Sequence, residues 1–67
     1  MRGYYVIPSD ERGDPIEITG RNARQRAIQQ ARELKSAGDV LVFVMSFDDN
    51  AEGGFLADSE IIHHNEL

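Results

Sequence analysis

The chain of 67 residues contains no cysteine, no tryptophan and a single lysine, Lys35, and its apolar runs are short. Without cysteine it has no disulfides, so nothing in its composition points to an oxidising compartment. The longest apolar run, residues 40–45, falls far short of the roughly 18 residues of a membrane-spanning helix. The first residues do not resemble a signal peptide, because the apolar stretch is brief and no small-residue cleavage site follows it. We therefore expect a soluble, cytoplasmic protein without a membrane partner.

The length predicts a single domain over residues 1–67, with an ordered core over about residues 3–62 and a flexible tail over residues 63–67. A domain of this size buries only about 60% of the surface of its unfolded chain, so its stability is marginal. Small domains usually compensate with disulfides, a metal or self-association. His63 and His64 are the only strong nitrogen ligands and there is no thiolate, which disfavours structural zinc. Self-association or binding to a larger partner therefore remains as the expected source of additional stability.

Charge is divided unevenly along the chain, whose net charge is −5. Residues 20–38 carry five basic residues against one acidic residue, a net +4. Residues 39–67 contain no lysine or arginine and seven acidic residues. Such a division within one domain concerns solubility and partners rather than the fold.

The first half of the sequence predicts a β-hairpin followed by a helix. Residues 4–7 are β-formers that end at Pro8, and residues 15–19 alternate apolar and polar side chains. Turn-forming residues separate these two segments. Asn22, followed three residues later by Gln25, predicts an N-cap with a weak capping box. The helix is then expected from about residue 23 to residue 36, with Gly38 in the left-handed position after it. Its inner stripe is mostly alanine: Ala23, Ala27, Ala31 and Leu34.

The second half predicts two further strands. Residues 39–47 are apolar on both alternating faces, which is typical of a central strand covered on both sides. A final strand is expected to start near residues 54–57 and to run through Ile61 and Ile62. The element order β-β-α-β-β predicts an α+β fold, with a four-stranded antiparallel sheet and one helix packed on one face.

One helix covers only one face of such a sheet, so the other face is expected to be open. We assign the larger residues Leu41, Phe43 and Met45 to the helix side. An uncovered apolar face is usually a contact surface. The predicted partner-binding residues on the open face are Tyr5, Val40, Val42 and Val44, and a homodimer is the predicted assembly.

Metal and catalytic motifs are weak. The acidic segment 48–52 partly matches a calcium loop, but Ser59 occupies the position that requires glutamate, so a hairpin turn is favoured. His63 and His64 are adjacent and point apart in an extended chain, which does not make a metal site. No nucleophile, base and orienting group can be named together. The sequence therefore predicts a non-enzyme with no catalytic residue, metal or cofactor.

Three charge-based hypotheses remain. The acidic residues Asp39, Asp48, Asp49, Glu52, Asp58 and Glu60 could imitate nucleic acid, in the manner of small inhibitors or adaptors encoded by phages and mobile elements that act on a host protein. The alternative is a nucleic-acid-binding regulator that uses the basic helix, through Arg21, Arg24, Arg32 and Lys35. The simplest interpretation is that the helix cations neutralise neighbouring acidic strands. We favour a protein-binding inhibitor or adaptor, because a pI near 4.7 disfavours nucleic acid.

Overall fold

A computed structural model describes residues 2–9, 14–39, 41–48 and 59–67 of the chain. It contains strand β1 (Arg2–Ile7), strand β2 (Ile16–Thr19), helix α1 (Ala23–Ser36), strand β3 (Phe43–Asp48) and strand β4 (Ile61–Ile62). A short 3-10 turn over His64–Glu66 follows. The strands form one sheet in the order β2-β1-β3-β4, and every neighbouring pair is antiparallel. The predicted four-stranded antiparallel sheet with one helix is confirmed.

β1 and β3 form the centre of the sheet. They pair along their whole length, from Arg2 opposite Asp48 to Ile7 opposite Phe43. β2 returns from β1 as the predicted hairpin and forms one edge. β4, only two residues long, forms the other edge beside β3. The expected start of the last strand at residues 54–57 lies outside the described residues.

The helix begins and ends where its sequence pattern predicts, at Ala23 and Ser36. Its C-terminus closes as a Schellman motif, in which Gly38 takes φ +108° and donates to the Lys35 carbonyl at 3.1 Å. The Asp39 amide donates to the Leu34 carbonyl at 3.0 Å. The predicted capping box at the other end is wrong. Asn22 adopts a left-handed conformation, with φ 58°, and its side chain makes no capping hydrogen bond.

The core lies between the alanine stripe of α1 and one face of the sheet. Ala27 and Ala31 are fully buried there against the β-branched side chains Val6, Val42, Val44 and Ile62. The sequence-based assignment of faces was therefore wrong, because Val42 and Val44 lie under the helix rather than on the open face. The alanine stripe allows the helix to lie close to the sheet, and compact valines fill the narrow space that larger side chains would overpack. Val40 lies outside the described residues.

Asp39 is the one polar residue among the buried residues of the described chain, at 2% exposed. Its carboxylate accepts hydrogen bonds from the backbone amides of Ser9, at 3.0 and 3.3 Å, and Leu41, at 3.3 Å. It therefore ties the segment after β1 to the turn that follows the helix. This placement overturns two expectations, since Asp39 neither begins the third strand nor contributes to an acidic surface.

Residues 63–67, where the sequence predicts a flexible tail, make several contacts with the rest of the domain. The His64–Glu66 turn is closed by reciprocal hydrogen bonds between His63 and Glu66. Leu67 packs against the hydrophobic core. Lys35 on the helix donates to the backbone oxygens of His64, at 2.8 Å, and Leu67, at 3.3 Å. The last residues thus form part of the helix-side layer.

Candidate interaction surfaces

The sheet face opposite the helix is apolar over β1, β3 and β4. Strand register places Tyr5, Met45 and Ile61 side by side across three strands, since Tyr5 pairs with Met45 and Met45 pairs with Ile61. Paired residues point to the same side of a sheet, and residues two positions along a strand share that side. We call the resulting surface the open face; its apolar side chains are Tyr5, Ile7, Phe43, Met45, Phe47 and Ile61, and Glu17 and Thr19 of β2 lie on the same side.

None of the described elements covers the open face, because α1 and residues 63–67 lie on the other side of the sheet. Ile61 is 45% exposed, and Tyr5, Phe43 and Met45 are half-buried. Phe47 is buried and stacks on Tyr5, with ring centroids 4.6 Å apart and planes inclined by 28°. Such stacking holds the aromatic pair in a defined orientation. The open face is therefore an ordered, partly exposed patch of large apolar side chains.

Of the three predicted partner-binding residues that the structure describes, one lies on this surface. Tyr5 does, whereas Val42 and Val44 are fully buried on the opposite face and Val40 lies outside the described residues. The prediction missed Phe43, Met45 and Ile61. The alternation that groups the first two was visible in the sequence, but both sets of alternating residues are apolar. No pattern within this strand could decide which set faces the helix.

The basic helix uses one of its arginines to hold the acidic segment before β4. The Arg24 guanidinium contacts both carboxylate oxygens of Glu60, with its shortest hydrogen bond at 3.0 Å. The Tyr4 hydroxyl donates to the same carboxylate at 3.2 Å. The Glu60 amide also donates to the Ser46 hydroxyl at 2.6 Å, which fixes the segment against β3. These contacts join β1, α1, β3 and the chain just before β4.

The three ionisable groups of this cluster shift one another's pKa values. Hydrogen bonds from the Arg24 guanidinium lower the pKa of the Glu60 carboxyl, and the bonds from Tyr4 act in the same direction. The Glu60 carboxylate in turn raises the pKa of Arg24. Burial and the hydrogen bond to Glu60 raise the pKa of Tyr4. The cluster therefore favours an ionised glutamate beside a neutral tyrosine.

The four predicted nucleic-acid contacts do not act as a free basic surface. Arg24 is bound to Glu60, and Lys35 donates to the backbone of residues 64 and 67. Arg21 and Arg32 are exposed. Arg26, also on the helix, donates to the backbone oxygens of Thr19 and Arg21. Three of the five cations of the +4 segment are thus engaged within the described chain: Arg24 pairs with an acidic side chain, and Arg26 and Lys35 hold backbone oxygens of neighbouring segments.

Two of the grooves on the described surface lie between the helix and neighbouring strands. The larger, of about 630 Å³, lies beside its N-terminus and includes Arg2 and Arg24 as well as Asp48 and Glu60 in its walls. Because these walls carry both signs of charge, the groove does not specify a ligand charge. The smaller, of about 270 Å³, lies between the helix and β2 and is lined by Ile18, Arg26, Gln29, Gln30 and Glu33.

Within the described residues, no group of three or more histidine, aspartate or glutamate side chains could hold a metal ion. Asp49 and Glu52 of the calcium-loop pattern lie outside those residues. No helix of the described chain is long and apolar enough to cross a membrane. Comparison with protein-family models, with curated proteins and with solved structures finds no match.

Proposed function

We propose that this chain is a small, non-catalytic protein-interaction module of the cytoplasm, and that it forms a homodimer through the open face. The observation that carries the proposal is the exposed apolar patch centred on Met45 and Ile61. Contiguous apolar surface with aromatic residues and a methionine at its centre is typical of protein contacts rather than of free surface. Inhibition or adaptation of a second protein is the biological role that we propose for such a module.

Self-association also supplies the stability that the chain otherwise lacks. The helix contributes mainly alanine to the core, and the fully buried sheet side chains Val6, Val42 and Val44 are small. A core of this kind stabilises a 67-residue domain only marginally. Burying Phe43, Met45 and Ile61 between two copies would stabilise the folded chain by about 25 cal/mol for each Å² of apolar surface removed from water.

The proposal can be tested by sedimentation velocity on the wild type and two matched variants. Ile61→Lys places a charge on the open face, and Ile16→Lys places the same charge at a site of similar exposure, 36% against 45%, on the helix side of β2. We expect the wild type and Ile16→Lys to sediment as dimers and Ile61→Lys as a monomer, because an unpaired buried charge is costly. A monomeric wild type, or a dimer that survives Ile61→Lys, would contradict the proposal.

The nucleic-acid alternative has less support, because Arg24 and Lys35 are already bound within the chain. Arg21 and Arg32 remain exposed, and they are what a nucleic-acid surface would have to use. Binding of this kind falls steeply with salt. Retention of the wild type on a single-stranded DNA column at low salt, lost in Arg32→Glu, would favour the alternative; we expect no retention.

A further inference from the structure

Among the described strands, β2 forms one edge of the sheet and has no partner strand on its outer side. This edge is at the opposite end of the sheet from β4. In the sheet order of the described strands β2 is terminal, so its outer backbone groups have no partner strand there. Its pairing with β1 runs without a bulge, from Gly3 opposite Thr19 to Val6 opposite Ile16. The strand also has no lysine or internal proline. Bulges, lysines and prolines are features by which natural proteins commonly prevent another strand from pairing with an edge strand.

The helix forms a wall beside this edge. Ile18 lines the groove between β2 and α1, together with the helix side chains Gln29, Gln30 and Glu33. Ile16 points to the same side of the sheet as Ile18 and is 36% exposed. A strand added to β2 would therefore cover both isoleucines and fill a groove of about 270 Å³. Strand addition of this kind combines backbone hydrogen bonds with pockets for alternate side chains.

The charges around the β2 edge indicate what kind of strand would bind there. Asp14, Glu17 and Glu33 are exposed acidic residues of the edge and its groove. The cation of the groove, Arg26, is held by the backbone oxygens of Thr19 and Arg21. A second copy of β2 would bring another Glu17 to this acidic edge, on a chain of net charge −5. An added strand with basic side chains on the Glu17 side complements it better.

We propose that the β2 edge binds an extended segment of a partner protein in which apolar and basic residues alternate. The apolar side chains of the bound segment contact Ile16 and Ile18 in the groove beside the helix, and its basic side chains face Glu17. Glu17 lies on the same side of the sheet as Tyr5. The β2 edge is nevertheless two or three strands away from Met45 and Ile61, at the centre of the proposed dimer contact, so we expect segment binding and dimerisation to be separable.

The test uses a fluorescein-labelled octapeptide of alternating valine and lysine, titrated with the full chain and followed by fluorescence anisotropy. We expect binding that an alternating valine–glutamate peptide does not show. A valine–lysine peptide with its central amides N-methylated keeps the charge but cannot pair as a strand, so we expect at least about tenfold weaker binding. Equal binding of the methylated peptide, or no binding of the parent peptide, would overturn the proposal.

Matched variants locate the site. Glu17→Gln should weaken binding about two- to fivefold, as expected for an exposed ion pair. Glu66→Gln removes the same charge on the far side of the domain, keeps an oxygen that can accept from His63, and should bind like the wild type. Amide chemical-shift changes should concentrate in residues 16–19 and 29–33. Chemical-shift changes centred elsewhere would contradict the proposed site, and so would equal weakening of peptide binding by both variants.

The variant Ile61→Lys separates this proposal from the proposed dimer. Because it is expected to remove only the dimer, its peptide binding should be unchanged, so either proposal can fail without the other.

Discussion

At the scale of single residues, Asp39 joins two parts of the chain that are thirty residues apart. Its buried carboxylate accepts hydrogen bonds from the amides of Ser9 and Leu41. Asp39→Ala would leave those donors unsatisfied. We expect the free energy of unfolding to fall by about 1–3 kcal/mol, measured by urea denaturation.

Asp14→Ala is the matched control, because Asp14 is an exposed aspartate at which the same substitution should change stability by less than about 0.5 kcal/mol. Asp39→Asn should fall between the two variants, since its amide oxygen still accepts but its amide nitrogen adds donors in a buried site. If Asp39→Ala were as mild as Asp14→Ala, the described role of this carboxylate would be wrong.

Neither the burial of Asp39 nor the close contact at Gly3 could be predicted from sequence. Asp39 resembles the other acidic residues of its half of the chain, and only the Schellman motif before it turns its side chain toward β1. At Gly3 a Cβ atom would lie 2.5 Å from the backbone oxygen of Ile18 and 3.1 Å from the Phe47 ring. Both constraints arise from approaches between distant segments, which local patterns do not encode.

At the scale of elements, the two faces of β3 can be tested directly. Val44 is fully buried under the helix, whereas its neighbour Phe43 is half-buried on the open face. We expect Val44→Ala to cost about 1.5–3 kcal/mol, because it leaves a cavity in the core. Phe43→Ala should cost less despite removing the larger side chain. Urea denaturation at low protein concentration measures both; the opposite order would restore the face assignment that the sequence suggested.

Element types, their order and the bounds of the helix could be predicted because each depends on a local signal. The alanine spacing and Gly38 define the helix, and turn chemistry separates β1 from β2. The orientation of β3 could not be predicted in the same way, since valines alternate with larger apolar residues and both sets suit a buried face. The distance between helix and sheet decides between them. This one error placed Val42 and Val44 in the predicted site and left Phe43 and Met45 out of it.

The contact between α1 and the segment before β4 should depend on pH. The pKa of Glu60 is lowered in the folded chain from its ordinary 4.5, chiefly by hydrogen bonds from Arg24. A lowered pKa contributes stability above the unfolded value, and this contribution is lost as the pH falls through the folded value. We expect wild type to exceed Glu60→Gln in stability at neutral pH, with the difference disappearing below pH 4.5. Because the pair is exposed, the difference will be small. A constant difference down to acid pH would contradict this role.

At the scale of the whole molecule, the fold brings part of the basic segment into contact with part of the acidic segment. Arg24 and Lys35 of the +4 segment hold residues 60, 64 and 67 of the −7 segment. In the described part of the chain, the outer surface includes the apolar open face, the acidic edge around β2, and the exposed Arg21 and Arg32. The first two are the surfaces that we propose for partners.

The stability of the whole molecule should depend on its concentration if the open face joins two copies. Each tenfold rise in concentration then stabilises the folded dimer by mass action, and for a domain of this size the melting temperature should rise by about 3–6 °C. Differential scanning calorimetry over a hundredfold concentration range measures the slope. Ile16→Lys should keep the slope, because it lies off the open face, whereas Ile61→Lys should melt at a lower and constant temperature. A wild type whose melting temperature does not change over that range is a monomer, and the open face would then have to serve a different protein.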